Sequence, residues 1–133
     1  MRREFLLPPK DVLHLDSLGL PWETIGSPLR GGAHVLVHQF PVPEGYTVTS
    51  TTVALRIEQL YPDVQIDMAY FNPALTRSDG RAVHTITTES IDGQTFQRWS
   101  RHRTSENPWR PGIDCLATHL GQVEHWLIYE LTR

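Results

Sequence analysis

Ser100 and His102, a hydroxyl and an imidazole two residues apart, are residue types that could serve as nucleophile and base. In an extended segment, side chains at i and i+2 point to the same face. An imidazole with the ordinary histidine pKa near ~6.5 could then take the serine's proton close to neutral pH. Without such a base a serine hydroxyl is a poor nucleophile. Arg101 and Arg103 flank the histidine and could attract a carboxylate or an acidic protein surface. Taken alone, Ser-x-His fits a polar loop or strand edge equally well, because catalytic sets are defined by geometry and not by spacing.

Cys115 is the rival nucleophile and the only cysteine. It cannot form an internal disulfide, and its solitude excludes a multi-cysteine zinc site. It falls in the first turn of an amphipathic helix pattern. A helix N-terminus depresses a thiol pKa, but a cysteine next to Leu116 on such a helix fits half-buried packing as well. The seven histidines raise the question of a metal. His34 and His38 fall on one strand face, yet residues i and i+4 stand ~13 Å apart along an extended chain, too far to share an ion. On a helix, His119 and His125 lie far round from each other. No metal and no cofactor are expected. Trp22, Trp99, Trp109 and Trp126 fit the core or the walls of a site better than a base-stacking platform.

Such groups must be held by a scaffold. Pro8-Pro9-Lys10-Asp11 followed by Val12, Leu13, Leu15 and Leu18 predicts a short N-terminal helix ending before Gly19. Strands are predicted at Trp22–Ile25, Ala33–Val42, Thr49–Gln59 and Gln65–Phe71, the third by its alternation of Val53, Leu55 and Ile57 with polar residues. From Leu75 to Gly112 the chain is irregular and polar; a hairpin fits within it, with Val83–Thr88 and Thr95–Arg101 as arms around Asp92-Gly93. Ile113, Leu116, Leu120, Val123, Trp126, Leu127 and Leu131 then recur at helical spacing. Helix, strands in succession, long segment, helix: this order argues an α+β fold with an antiparallel sheet covered on one face.

The 133 residues fit one domain, 1–133, with 39% apolar and 20% charged residues and a formal net charge of −3. Scattered basic residues give no nucleic-acid footprint beyond one local run, Arg98, Arg101, His102 and Arg103. The basic N-terminus lacks an apolar run long enough for a signal peptide, and nothing approaches the ~20 apolar residues of a membrane span, so no membrane partner and a cytoplasmic location are expected.

Three features carry a family resemblance: Tyr61-Pro62 after an alternating strand, the strand that follows it, and Trp109-x-Pro111 just before an amphipathic helix. This ordered set resembles the ubiquitin-conjugating enzymes (E2). Gln97-Arg98-Trp99-Ser100-Arg101-His102, Trp109-Arg110-Pro111-Gly112 and Thr118-His119-Leu120 resemble a bacterial branch, prokaryotic E2 family E. The resemblance covers roughly residues 10 to 131. It implies a UBC-like α+β fold: N-terminal helix, four-stranded antiparallel meander, long active-site segment and C-terminal amphipathic helix.

It further implies an E2-like acyl transferase that takes a ubiquitin-like protein from an E1-like adenylating enzyme and hands it to a target protein, in a setting linked to antiphage defence. The sequence departs from the eukaryotic pattern. It has no His-Pro-Asn tripeptide, Asp63, Val64 and Gln65 stand where a second proline is usual, and no cysteine lies just before Trp109. In the family the nucleophile sits shortly before Trp-x-Pro, and Ser100 is nine residues before Trp109. The resulting expectation is an oxyester on Ser100 assisted by His102, with Trp99, Arg101, Arg103 and Trp109 in support. Two alternatives stand beside it: a catalytically inactive E2-like adaptor that binds the modifier or the E1, and an unrelated α+β binding domain.

Overall fold

A computed structural model describes all of residues 1–133. Helix α1 spans Pro9–Ser17, and the strands are β1 (Trp22–Ser27), β2 (Gly31–Pro41), β3 (Ser50–Ile57), β4 (Ala69–Asn72), β5 (Ile86–Ile91) and β6 (Gln94–Trp99); helix α2 spans Leu116–Glu130. Proline at the start of α1 costs no hydrogen bond, because the first N–H groups of a helix lack partners in any case. Gly19 follows with φ +69°, the left-handed conformation that suits glycine just past a helix end.

All strand pairs are antiparallel, and the sheet order is β1-β2-β3-β4-β6-β5. The meander β1 to β4 is as expected. The sheet has six strands and not four, because the Asp92-Gly93 turn folds Ile86–Trp99 into a hairpin whose second arm pairs with β4. Asp92 (φ 54°) and Gly93 (φ +73°) are both left-handed, as a tight two-residue hairpin turn requires.

One face of the sheet packs Val35, Val37, Val53, Leu55, Phe71 and Trp99 against Leu15 of α1 and Leu116, Leu120, Val123 and Leu127 of α2. Each fully buried leucine stabilises by about 2 kcal/mol. The other face carries a smaller cluster of Ile25, Leu36, Ala54, Tyr70, Ile91 and Phe96. No helix is long and apolar enough to cross a membrane.

Several boundaries differ from expectation; the hairpin's first arm, for one, runs Ile86–Ile91 and not Val83–Thr88. The fourth strand begins at Ala69 and not at Gln65, since Met68 adopts φ 59° and takes the chain before it out of the ladder. Helix α2 begins at Leu116, leaving Ile113 exposed in the preceding turn, and buries His119 and Glu130 along with its leucines.

Candidate active-site groove

The residues that carry the family resemblance meet at the start of α2. The Trp109 indole donates to the Pro62 carbonyl at 2.9 Å, and its ring lies 6.2 Å from that of Tyr61. The Tyr61 hydroxyl donates to Asp11 Oδ2 of α1 at 2.6 Å and accepts the Leu116 N–H at 2.7 Å. Burial, then the Asp11 carboxylate, raises the phenol's pKa, so Tyr61 remains a neutral donor. One side chain thus joins the first helix, the Tyr-Pro turn and the N-terminus of the last helix.

Between β6 and α2 the chain runs along α2. Asn107 Nδ2 donates to Gln122 Oε1 at 2.9 Å. The Arg103 guanidinium lies over the Trp109 ring, 5.3 Å from its centroid, and 3.7 Å from Asp114. Burial would raise the Asp114 carboxyl, but hydrogen bonds from Arg110 N–H and Thr118, with the charge of Arg103, outweigh it and lower the pKa. The Arg101 guanidinium lies 4.8 Å from the centroid of Trp99 and donates to buried Glu130 at 2.9 Å. His84 contacts the same carboxylate at 2.7 Å. Burial pushes Glu130 up, but the His84 hydrogen bonds and the neighbouring charges hold it low. Arg101, His102, Arg103, His125, Trp126 and Tyr129 line a groove of about 270 Å³ between this segment and α2.

His102 is exposed at this groove, and its Nδ1 lies 3.0 Å from both carboxylate oxygens of Asp67. Because a carboxylate only accepts, Nδ1 carries a proton, and in the neutral ring that leaves the lone pair on Nε2.

Ser100 is half-buried, and its hydroxyl makes no hydrogen bond to His102. The expected shared face requires an extended chain, and the chain is not extended here. Arg101 N–H donates back to Trp99 C=O at 2.9 Å, a three-residue turn centred on Ser100 that breaks the alternation. The Ser100 N–H pairs with Thr85 C=O, extending the β5–β6 ladder by one residue.

Cys115 caps the N-terminus of α2 with its backbone, its N–H donating to Thr118 Oγ1 at 3.0 Å, and the residue is only 6% exposed. Of the other predicted residues, Trp99 is fully buried and Trp109 half-buried, as site walls rather than contact surfaces. His34 and His38 do not meet: His34 contacts Gly32 C=O and Tyr70, while His38 lies between Glu23 (2.7 Å) and Thr52 (2.9 Å). No group of three or more His, Cys, Asp or Glu residues is placed to hold a metal ion.

Two residues that bear on His102 were given no catalytic role from sequence, where His119 was weighed only as a metal ligand. Asp67 lay inside a predicted strand, where its departure from apolar alternation was the only signal. His119 lay in the Thr118-His119-Leu120 motif without a role. It is completely buried, and its Nε2 meets the Met68 carbonyl at 2.8 Å. Burial lowers its pKa to about 4, so it is neutral at ordinary pH. Met68 itself is left-handed, a conformation that costs a non-glycine residue of the order of 1–3 kcal/mol and persists only when its surroundings enforce it.

An antiparallel sheet covered by an N-terminal and a C-terminal helix, with a Tyr-Pro turn bonded to the Trp-x-Pro residue, defines an E2-like protein of the UBC-like α+β class. The chain belongs to prokaryotic E2 family E, whose profile matches residues 7–130. Comparison with curated proteins returned no significant match. Comparison with solved structures returned none either.

Proposed function

We infer that the protein is an E2-like acyl carrier of a bacterial ubiquitin-like conjugation pathway, working through oxygen in place of sulfur. The observation that carries this reading is the Asp67–His102 pair. An exposed imidazole held at Nδ1 by a carboxylate offers its Nε2 as a base beside a groove. The E1-like enzyme would present the modifier as a thioester. Ser100 Oγ attacks that carbonyl while His102 Nε2 takes the hydroxyl proton; the C–S bond then breaks, and the proton passes to the departing E1 thiolate. A target amine next attacks the ester and returns the hydroxyl to Ser100. Arg101 and Arg103 line the seat of the modifier's tail, with Trp99 and Trp109 beneath them. For Ser100 to reach His102, the turn between Trp99 and Arg101 must open as the loaded E1 docks; catalytic hydrogen bonds often close only in the complex.

A second reading, a non-catalytic adaptor that binds the modifier or the E1, is favoured by the absence of a Ser100–His102 hydrogen bond in the free protein. One experiment separates the two. The protein is mixed with its E1, the modifier and ATP, and adducts are resolved with and without thiol reductant. An adduct that survives reductant, yields to mild base and disappears in Ser100→Ala supports the oxyester. Persistence in Ser100→Ala with loss in Cys115→Ala moves the chemistry to sulfur. Binding without any adduct leaves the adaptor.

A further inference from the structure

We propose that His119, buried in α2, is a positioning residue for the Asp67–His102 pair, acting through the main chain of Met68. This rests on the reading of His102 as the base.

His119 Nε2 faces a carbonyl, which only accepts, so Nε2 carries the hydrogen and donates to Met68 C=O at 2.8 Å. The bond reaches across 51 residues of sequence and ties the last helix to the residue before β4. Met68 is left-handed, and the last registered pair of the β4–β6 ladder is Ala69 with Trp99. Had the ladder run one residue further, Met68 would face Ser100 and Asp67 would continue along the strand.

The kink at Met68 instead turns Asp67 out of the strand, and both its carboxylate oxygens come within 3.0 Å of His102 Nδ1. The same kink leaves Ser100 without a β4 partner. The donor that holds the kink is His119, whose ring is wedged edge-on against Trp126, 5.5 Å between centroids and 82° between planes. Helix α2 therefore sets the direction of a carboxylate that belongs to the sheet. His119 touches neither His102 nor the groove's contents, so it acts by orientation.

A glutamine at position 119 can place an amide N–H near the position of Nε2, an asparagine is too short, and a leucine has no donor. The readout is the 15N spectrum of the neutral His102 imidazole, which reports which ring nitrogen carries the proton. In the unsubstituted protein the Nδ1–H form dominates. His119→Leu and His119→Asn move His102 toward the Nε2–H form, and His119→Gln restores Nδ1–H. Adduct formation follows the same order, about tenfold slower in the leucine and asparagine variants. If His119→Leu does not fold, the asparagine and glutamine variants carry the comparison.

An unchanged His102 spectrum in folded His119→Asn or His119→Leu overturns the proposal. The spectrum needs neither E1 nor modifier. Failure of the adduct assay alone therefore counts against the acyl-carrier reading, and failure of the spectral change alone counts against His119.

Discussion

The Tyr61 hydroxyl lies 2.6 Å from Asp11 Oδ2, a hydrogen bond that joins the Tyr-Pro turn to a first-helix carboxylate only 1% exposed. Tyr61→Phe leaves that buried carboxylate without this donor and the Leu116 N–H without its acceptor. Unpartnered buried polar groups are costly, so the variant should lose about 2 kcal/mol, read as a lower urea midpoint with unchanged slope. A change below ~0.5 kcal/mol shows that water replaces the phenol on both partners.

Gln97 is a second buried clamp. Its Oε1 accepts Leu75 N–H and the Trp99 indole N–H, each at 2.9 Å, and its Nε2 donates to Leu75 C=O at 3.1 Å. Gln97→Leu keeps the bulk and strands three buried polar groups. It should cost about 3 kcal/mol or more in thermal or urea unfolding.

Asp67→Asn preserves size while replacing the acceptor with an amide that can donate to Nδ1 and so favour the wrong imidazole tautomer. The rate of adduct formation should fall at least ~10²-fold, with modifier binding and the unfolding midpoint little changed. An adduct rate within twofold of the unsubstituted protein removes His102 as the base.

His119 and Glu23 are two of the buried groups that shape the response to acid. His119 has a pKa near 4 when folded, against ~6.5 when unfolded, so the unfolded chain takes up its proton first. Its contribution is complete above about pH 6.5 and is lost as pH falls toward 4, about 3 kcal/mol across that window. The Glu23 pKa is lowered to about 2, by hydrogen bonding to Arg2 foremost and also to His38, although burial opposes the shift. Its stabilisation is present above the unfolded value near ~4.3 and is lost as pH falls through 2. Urea midpoints against pH should begin to decline below about 6.5, and between about 6.5 and 4.5 the decline should be shallower in His119→Gln, where buried His34, its pKa also lowered by burial, still contributes. A flat profile between those values in the unsubstituted protein means that His119 gains its proton without unfolding.

Cys115 should react slowly with a neutral alkylating reagent in the native protein and rapidly in urea, because it is only 6% exposed. Cys115→Ser puts a favoured capping residue at the N-terminus of α2 and should leave stability within ~1 kcal/mol.

Periodicity made the apolar elements legible. The alternation of Val53, Leu55 and Ile57 and the helical recurrence of Leu116, Leu120, Val123 and Leu127 placed β3 and α2, because burial of one face imposes a period on any chain that forms it. Asp92-Gly93 marked the hairpin, though not that its second arm would pair with β4. His119 and Glu130 broke the rule that polar residues face outward, because their partners, Met68 C=O and the His84–Arg101 pair, come from segments remote in sequence.

By itself, then, the sequence determined the α+β class, the two helices, the meander and the membership of an E2-like family, all of which follow from local pattern and ordered motifs. Only the tertiary structure decided which group faces His102. A turn at Ser100 withdrew the serine and a left-handed Met68 delivered Asp67, because side-chain direction near the end of a strand depends on one or two backbone dihedrals that residue spacing does not encode.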